Sequence, residues 1–270
     1  MDINKPVVHY LADFPYGDSI TIKHLLSHTG GLPNLIPLAW IHLDAEHHNF
    51  DEQEFFQSII QKNAKSQALP GVKFNYSNLG YVILGNLIET VSGTSFKTYV
   101  EDHIIAKLAI DNEVLGFTIP HPANHAKGYH PKWSLTNMVL GFFVDKKKFM
   151  ATTERKWRAF NLFHVNGSAY GGLIGPPMAF VKYIQALLTK DLLISDYYKN
   201  CLFEEQFIAK GRKTGMCLSW FKGRLNGHTY YCHAGGGGGY YSEIRIYPEL
   251  NRGSVIFFNR SGMKDERFFG

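Results

Sequence analysis

The character of the chain changes at Gly215, and that change limits the folds open to it. Before Gly215 apolar residues recur mainly at helical spacing. After it come short runs rich in β-branched and aromatic residues, separated by Gly, Asn and Pro. The spacing predicts strands at Met216–Phe221, Thr229–His233, Tyr240–Tyr247 and Gly253–Asn259. Tyr241, Glu243 and Arg245 alternate with Ser242, Ile244 and Ile246, which predicts a strand buried on one face. Helices followed by a block of strands point to an α+β chain with an antiparallel sheet. We expect a mostly helical lobe over 14–212 and the sheet strands over 213–270.

The predicted helices are Asp18–Thr29, Asp51–Lys62, Asn78–Val91, Thr94 or Ser95 to about Leu108, and Ala179–Leu188. Asp18 or Ser19 is the expected cap of the first, with Ile22, Leu25 and Leu26 as its stripe. Phe55 and Ile59, with Phe56 beside them, are expected to face inward from the second. The third has Leu79, Val82, Ile83, Leu87 and Val91 at helical spacing and Gly93 as a stop. Pro176-Pro177 suits the entry of the last. The stretch 121–167 reads as irregular and rich in aromatics and glycine.

Composition excludes several classes. The chain has 270 residues, 45% hydrophobic and 19% charged, which suits a folded domain. The net charge of +5 comes from lysines that are scattered apart from Lys146-Lys147-Lys148. With no basic stripe and no named motif, a nucleic-acid partner is not expected. Cys201, Cys217 and Cys232 form no C-x-x-C pair, and an odd number cannot complete a disulfide framework. The first residues lack a basic start and an apolar core, so no signal peptide is read and the chain as written is expected to be soluble and unexported. The apolar stretch Met138–Val144 is too short to cross a bilayer.

Three segments carry groups capable of chemistry. Tyr76-Ser77-Asn78 opens the strongest helix, where Asn78 is a natural cap. By itself this is a tyrosine and a cap, but the same pair facing a cleft can relay a proton and hold a carbonyl. His233-Ala234-Gly235 precedes four more glycines, Gly236 to Gly239. A phosphate loop or dinucleotide fingerprint needs a helix to follow, and here a strand follows. The run is either a hairpin loop or an exposed strand edge whose backbone N–H groups face a developing oxyanion. His24 and His28 are four residues apart and share a predicted helix face, without the glutamate of H-E-x-x-H. No metal and no cofactor are expected.

In order along the chain, ITIKHLLSHTGGLP, PGVKFNYSNLGYVILGNLIETVSGTSF, AYGGLIGPPMAFVKYIQALL and HAGGGGGYYSEIRIYPE resemble the serine β-lactamase-related hydrolases. These include class C β-lactamases, D-alanyl-D-alanine carboxypeptidases and esterase-like penicillin-recognising enzymes. The resemblance implies a β-lactamase/transpeptidase-like fold and acyl-enzyme chemistry on amide or ester bonds of a small-molecule or peptide-like substrate. It matches Y-x-N to Tyr76 and Asn78, a proton-shuttling tyrosine and an amide that binds substrate. It matches H-x-G to His233, Ala234 and Gly235, with the next N–H, Gly236, as oxyanion donor. Lys213-Thr214-Gly215 spells the related K-T-G but precedes the wrong strand, so we read it as a decoy.

The family's first element, S-x-x-K, is expected upstream of ITIKHLLSHT and does not stand there. Ser261-Gly-Met-Lys264 follows the last strand and reads as coincidence. The chain thus reads as a relative incomplete at both ends, whether a fragment, a mis-started frame or a degenerate copy. A non-catalytic relative that binds a peptidoglycan-like or lipid-like ligand is the competing reading. Family members are often periplasmic, secreted or membrane-attached, and the chain itself carries no such signal. Histidine in place of the lysine of K-T-G removes a fixed ammonium for a substrate carboxylate. That favours an esterase or peptidase over an efficient β-lactamase. Aromatics in Trp133–Phe163 either line the cleft or pack the core.

Overall fold

A computed structural model describes residues 1–134 and 141–261. Residues 138–140 of the Met138–Val144 stretch expected to be too short for a bilayer therefore lie outside the described residues, and so does Lys264.

The helical part opens with helix α1 (Ile22–Leu26), strand β1 (Ile41–Leu43), helix α2 (Glu52–Lys62), helix α3 (Asn78–Ser92) and helix α4 (Phe96–Val100). α1 is shorter than expected, and its cap is Thr21 rather than Asp18 or Ser19. The Thr21 hydroxyl accepts from the His24 N–H (3.2 Å), and His24 Nδ1 accepts from the Thr21 N–H (3.2 Å). That reciprocal box satisfies two N–H groups at once, which a cap farther upstream does not.

α3 is capped by Ser77, not Asn78. The Ser77 hydroxyl accepts from Gly80 (3.2 Å) and donates to the Pro33 carbonyl (2.8 Å). Asn78 is thus the first helical residue, and its amide is released from capping. Leu79, Val82, Ile83 and Leu87 are buried as the spacing predicts, whereas Val91 is exposed on the last turn. Gly93 closes the helix in the left-handed region at φ +73°. On α2 the fully buried aromatic is Phe56, with Phe55 and Ile59 only half-buried. α1, α2 and α3 enclose one apolar core containing Val7, Ile22, Leu25, Phe56 and Leu79.

The stretch 121–167 is more regular than its composition suggests. It holds strand β2 (Tyr129–Pro131), helix α5 (Lys146–Phe149), strand β3 (Met150–Glu154), strand β4 (Trp157–Phe160) and strand β5 (Phe163–Val165). β2, β4 and β3 make an antiparallel sheet in that order, and β5 pairs with β1. Next come helix α6 (Ser168–Gly171), helix α7 (Pro177–Leu188), helix α8 (Asp196–Phe203), and a ribbon of strand β6 (Phe207–Ile208) and strand β7 (Arg212–Lys213).

The last four strands form the antiparallel sheet expected from the sequence. They are strand β8 (Phe221–Leu225), strand β9 (His228–Gly237), strand β10 (Tyr240–Tyr247) and strand β11 (Arg252–Phe258), ordered β11-β10-β9-β8. Two boundaries differ from expectation. Met216 makes only an isolated bridge to Phe221, so β8 begins where a strand was expected to end. β9 continues through Gly237, with Gly235, Gly236 and Gly237 in register with Ser242, Tyr241 and Tyr240 of β10.

His233, Ile244 and Val255 are in register across three strands, so their side chains share one face. Ile244 and Val255 pack there with Ile184 of α7. Burial of β10 is not confined to one face as predicted. Tyr241, Glu243 and Arg245, on the opposite face, are buried as deeply as Ile246. Glu243 and Arg245 pair at 2.7 Å, the Tyr241 hydroxyl donates to Glu243 (2.9 Å), and the Arg245 guanidinium lies 4.4 Å from the Tyr230 ring. Pairing permits burial of charge that hydropathy assigns to solvent.

Candidate active site

The segment bearing Tyr76 is tied to the loop after α1. The Asn75 N–H donates to the His28 carbonyl (2.8 Å), the Asn75 side chain donates to Leu32 (2.6 Å), and the Ser77 N–H donates to His28 Nδ1 (3.1 Å). These bonds hold Tyr76 at the entrance of α3 before the helix begins. His28 lies past the end of α1 at φ +54°, so it shares no helix face with His24, contrary to the expectation from their spacing.

Tyr76 is half-buried among rings. Its centroid is 4.0 Å from His28, 6.3 Å from His233 and 6.4 Å from Phe221, and Phe221 lies 5.8 Å from His233. The fold thus brings together Tyr76 and His233, which are 157 positions apart. Asn78 is two residues on, at the first position of α3. Neither the Tyr76 hydroxyl nor the Asn78 amide has a hydrogen-bond partner among the described residues.

Gly235 and Gly236 lie on an open strand edge. β8 reaches only as far as Phe221, opposite Cys232, so no described strand pairs with β9 on that side from His233 to Gly237. The two-residue turn Gly238-Gly239, with φ +55° and +86°, joins β9 to β10. Gly237 and Tyr240 are then the closing hydrogen-bonded pair, and alternation turns the N–H groups of Ala234 and Gly236 away from β10. The turn Asn226-Gly227 between β8 and β9 gives the same phase from the other side. The Gly236 N–H therefore points out of the open edge. Both Gly235 and Gly236 are exposed.

Burial sets the charge states. It pushes the Tyr76 phenol up. It brings His28 down to about 3, with nearby His233 adding to the shift. It also lowers His233, partly offset by a hydrogen bond with the Ala234 backbone. At neutral pH all three are uncharged, so the site holds aromatic and neutral polar groups beside an open backbone edge.

The alternatives lie elsewhere. Lys213 and Thr214 belong to the β6–β7 ribbon region, where Lys213 faces Glu205 (3.6 Å) and the Thr214 hydroxyl bonds Gln206 and Met216. Ser261 sits beside β2, its N–H donating to the Tyr129 carbonyl (2.8 Å). His28 and Phe221 were missed as site residues. The segment containing His28 was visible, but its spacing from His24 suggested a shared helix face, and only the left-handed backbone at 28 turns the ring under Tyr76.

Comparison with known proteins identifies the family and the fold. The family model described as Beta-lactamase matches residues 1–268. The chain is 22% identical over 266 residues to Penicillin-binding protein 4* of Bacillus subtilis, covering 94% of this chain and 54% of that protein. It is 23% identical over 262 residues to Protein flp of Staphylococcus aureus, covering 95% and 47%. It thus spans about half the length of these curated relatives. Among solved structures, the octameric penicillin-binding protein homologue from Pyrococcus abyssi superposes with a TM-score of 0.72 at 21% identity, over 97% of this chain and 57% of that one. A D-stereospecific amidohydrolase from Streptomyces gives 0.71 at 20%, over 96% and 75%.

Proposed function

Because the chain belongs to the beta-lactamase family, whose members are serine hydrolases, we propose that it supplies the Y-x-N and H-x-G walls of a cleft for acyl-enzyme hydrolysis of amide or ester bonds. The observation that supports this reading best is the approach of Tyr76 to His233 beside the unpaired edge of β9. In this reading a serine oxygen from a Ser-x-x-Lys element adds to the substrate carbonyl. The tetrahedral oxyanion is held by the outward N–H of Gly236, and the amine or alcohol leaves with a proton. Water then attacks the acyl-serine and releases the acid.

Tyr76 is the proton carrier and Asn78 holds the substrate amide. Burial keeps Tyr76 protonated, so it acts as a base only with a cation beside it, which is the part of the Ser-x-x-Lys lysine. His233 is neutral and offers no fixed charge to a substrate carboxylate. That favours ester or peptide-like substrates over β-lactams. The competing reading is a relative that binds such a ligand without turning it over.

The deciding experiment joins the chain to a relative's upstream segment bearing Ser-x-x-Lys and exposes the chimera to a fluorescent penicillin and a chromogenic ester. Labelling at the added serine, lost on its replacement by alanine, supports the hydrolase. A folded chimera that binds substrate without labelling or turnover supports the binding relative.

A further inference from the structure

The net charge of the chain is concentrated in one part of the fold. Residues 127–160 contain eight basic and two acidic residues, a net +6, against +5 for the whole chain. The remaining 236 residues are nearly balanced, with twenty basic and twenty-one acidic. The sequence shows this only as scattered lysines. Pairing of β2, β4 and β3 collects several of them at one end of a small sheet.

At that end Pro131 and Glu154 both stand opposite Trp157, and the Lys132 N–H donates to the Lys156 carbonyl (2.9 Å). Arg155 forms the β3–β4 turn at φ +55°. Tyr129 bridges Arg260, whose guanidinium lies 4.7 Å from the Trp157 ring, with Lys156 5.8 Å from the same ring. Lys132 lies 5.5 Å from the ring of Trp133, which is 84% exposed. Glu154 is the one carboxylate in these turns, and it accepts from the Tyr129 hydroxyl (3.0 Å). Among the described residues no carboxylate is within ion-pair distance of Arg155, Lys156 or Arg260.

We infer that this end of the β2–β4–β3 sheet is a docking surface for an anionic phospholipid bilayer. The charges complement lipid phosphates, and each cation held near such a surface adds attraction that salt screens. An indole standing in water at a sheet tip gains by moving to headgroup depth, where its ring leaves water and its N–H stays hydrated. A single-stranded nucleic acid is served by rings that form a stacking groove along the strand. Here Trp157 already lies against two cations, and Trp133 projects beside them. Among the described residues no helix is long and apolar enough to cross a membrane, and surface docking requires none. The same small sheet meets the β9–β10 turn, since the Tyr129 N–H donates to the Gly239 carbonyl (3.1 Å). The inference does not depend on the hydrolase reading.

The test is co-sedimentation of the 270-residue chain with vesicles of phosphatidylcholine alone and of phosphatidylcholine mixed with phosphatidylglycerol. The expected result is at least about tenfold stronger retention on the anionic vesicles, removed by high salt. The double substitution Arg155→Glu and Lys156→Glu is expected to abolish retention, and Trp133→Ser to weaken it severalfold, both with unchanged circular dichroism. Equal retention on the two vesicle types overturns the inference. So does retention that survives charge reversal, or tighter binding to a single-stranded oligonucleotide than to the anionic vesicles.

Discussion

The imidazole of His28 lies beneath the phenol of Tyr76, centroids 4.0 Å apart and planes tilted by 32°, while its Nδ1 accepts the Ser77 N–H. One side chain therefore sets both the ring and the backbone at the entrance of α3. Its Nε2 is buried with no partner among the described residues. His28→Ala removes an acceptor from a buried N–H and leaves a hole under Tyr76. A loss of roughly 2–4 kcal/mol is expected by chemical denaturation. A loss below about 0.5 kcal/mol would show that the imidazole carries no such load.

His28 also sets an acid limit. Its folded pKa of about 3 lies below the unfolded value near 6.5, so the unfolded chain binds the extra proton. The neutral-ring contribution is complete above about pH 6.5 and is lost progressively as pH falls toward 3. His47, brought down to about 4 by burial and by its neighbours His164 and His42, adds in the same direction. The melting temperature should be flat just above pH 7 and fall steadily from about 6.5 to 4. A melting temperature that rises over that interval contradicts buried neutral histidines.

The glycine run should divide into two kinds of position. Gly238 has φ +55°, and an added Cβ would meet the Phe163 ring at 2.0 Å. The nearest atoms to a Cβ on Gly236 are 3.7 and 3.9 Å away. Gly238→Ala is expected to cost roughly 2–4 kcal/mol, and Gly236→Ala about 1 kcal/mol or less. Equal denaturation midpoints for the two variants would contradict the turn geometry.

Produced by itself, the 270-residue chain should not be labelled by a fluorescent penicillin or hydrolyse a chromogenic cephalosporin. No serine with a lysine three residues on lies ahead of α1. Loss of the nucleophile in a serine hydrolase costs on the order of a million-fold. Stoichiometric covalent labelling would require another nucleophile, with Ser261 the first to replace.

In the chimera bearing Ser-x-x-Lys, Tyr76→Phe keeps the ring against His28 and Phe221 and deletes only the hydroxyl. Turnover is expected to fall about a hundredfold or more, with substrate affinity and melting temperature little changed. Unchanged turnover would remove Tyr76 from the reaction.

Much of the fold could be read locally. The apolar stripe of α3, its stop at Gly93, the end of α2 at Lys62 and the strands β10 and β11 follow from spacing and turn chemistry. Tyr76, Asn78, His233, Gly235 and Gly236 could be picked out because their segments keep the family's order. Where reading failed, a local choice was settled by a distant partner. Ser77 displaced Asn78 as the cap of α3, because the distant Pro33 carbonyl and His28 ring engage the same residue. β2 to β5 were hidden because three- to five-residue strands show too little periodicity.

The sequence by itself determined the division into helices and a terminal antiparallel sheet, and the residue types able to act in a cleft. Only the tertiary structure decided that Tyr76 meets His233, that β8 stops short and leaves the Gly236 N–H facing outward, and that several basic residues of 127–160 gather at one sheet end. The reason is physical. Propensity, capping and periodicity act within a few residues, whereas strand register and ring contacts form between segments up to 157 positions apart and depend on the packing of the whole chain.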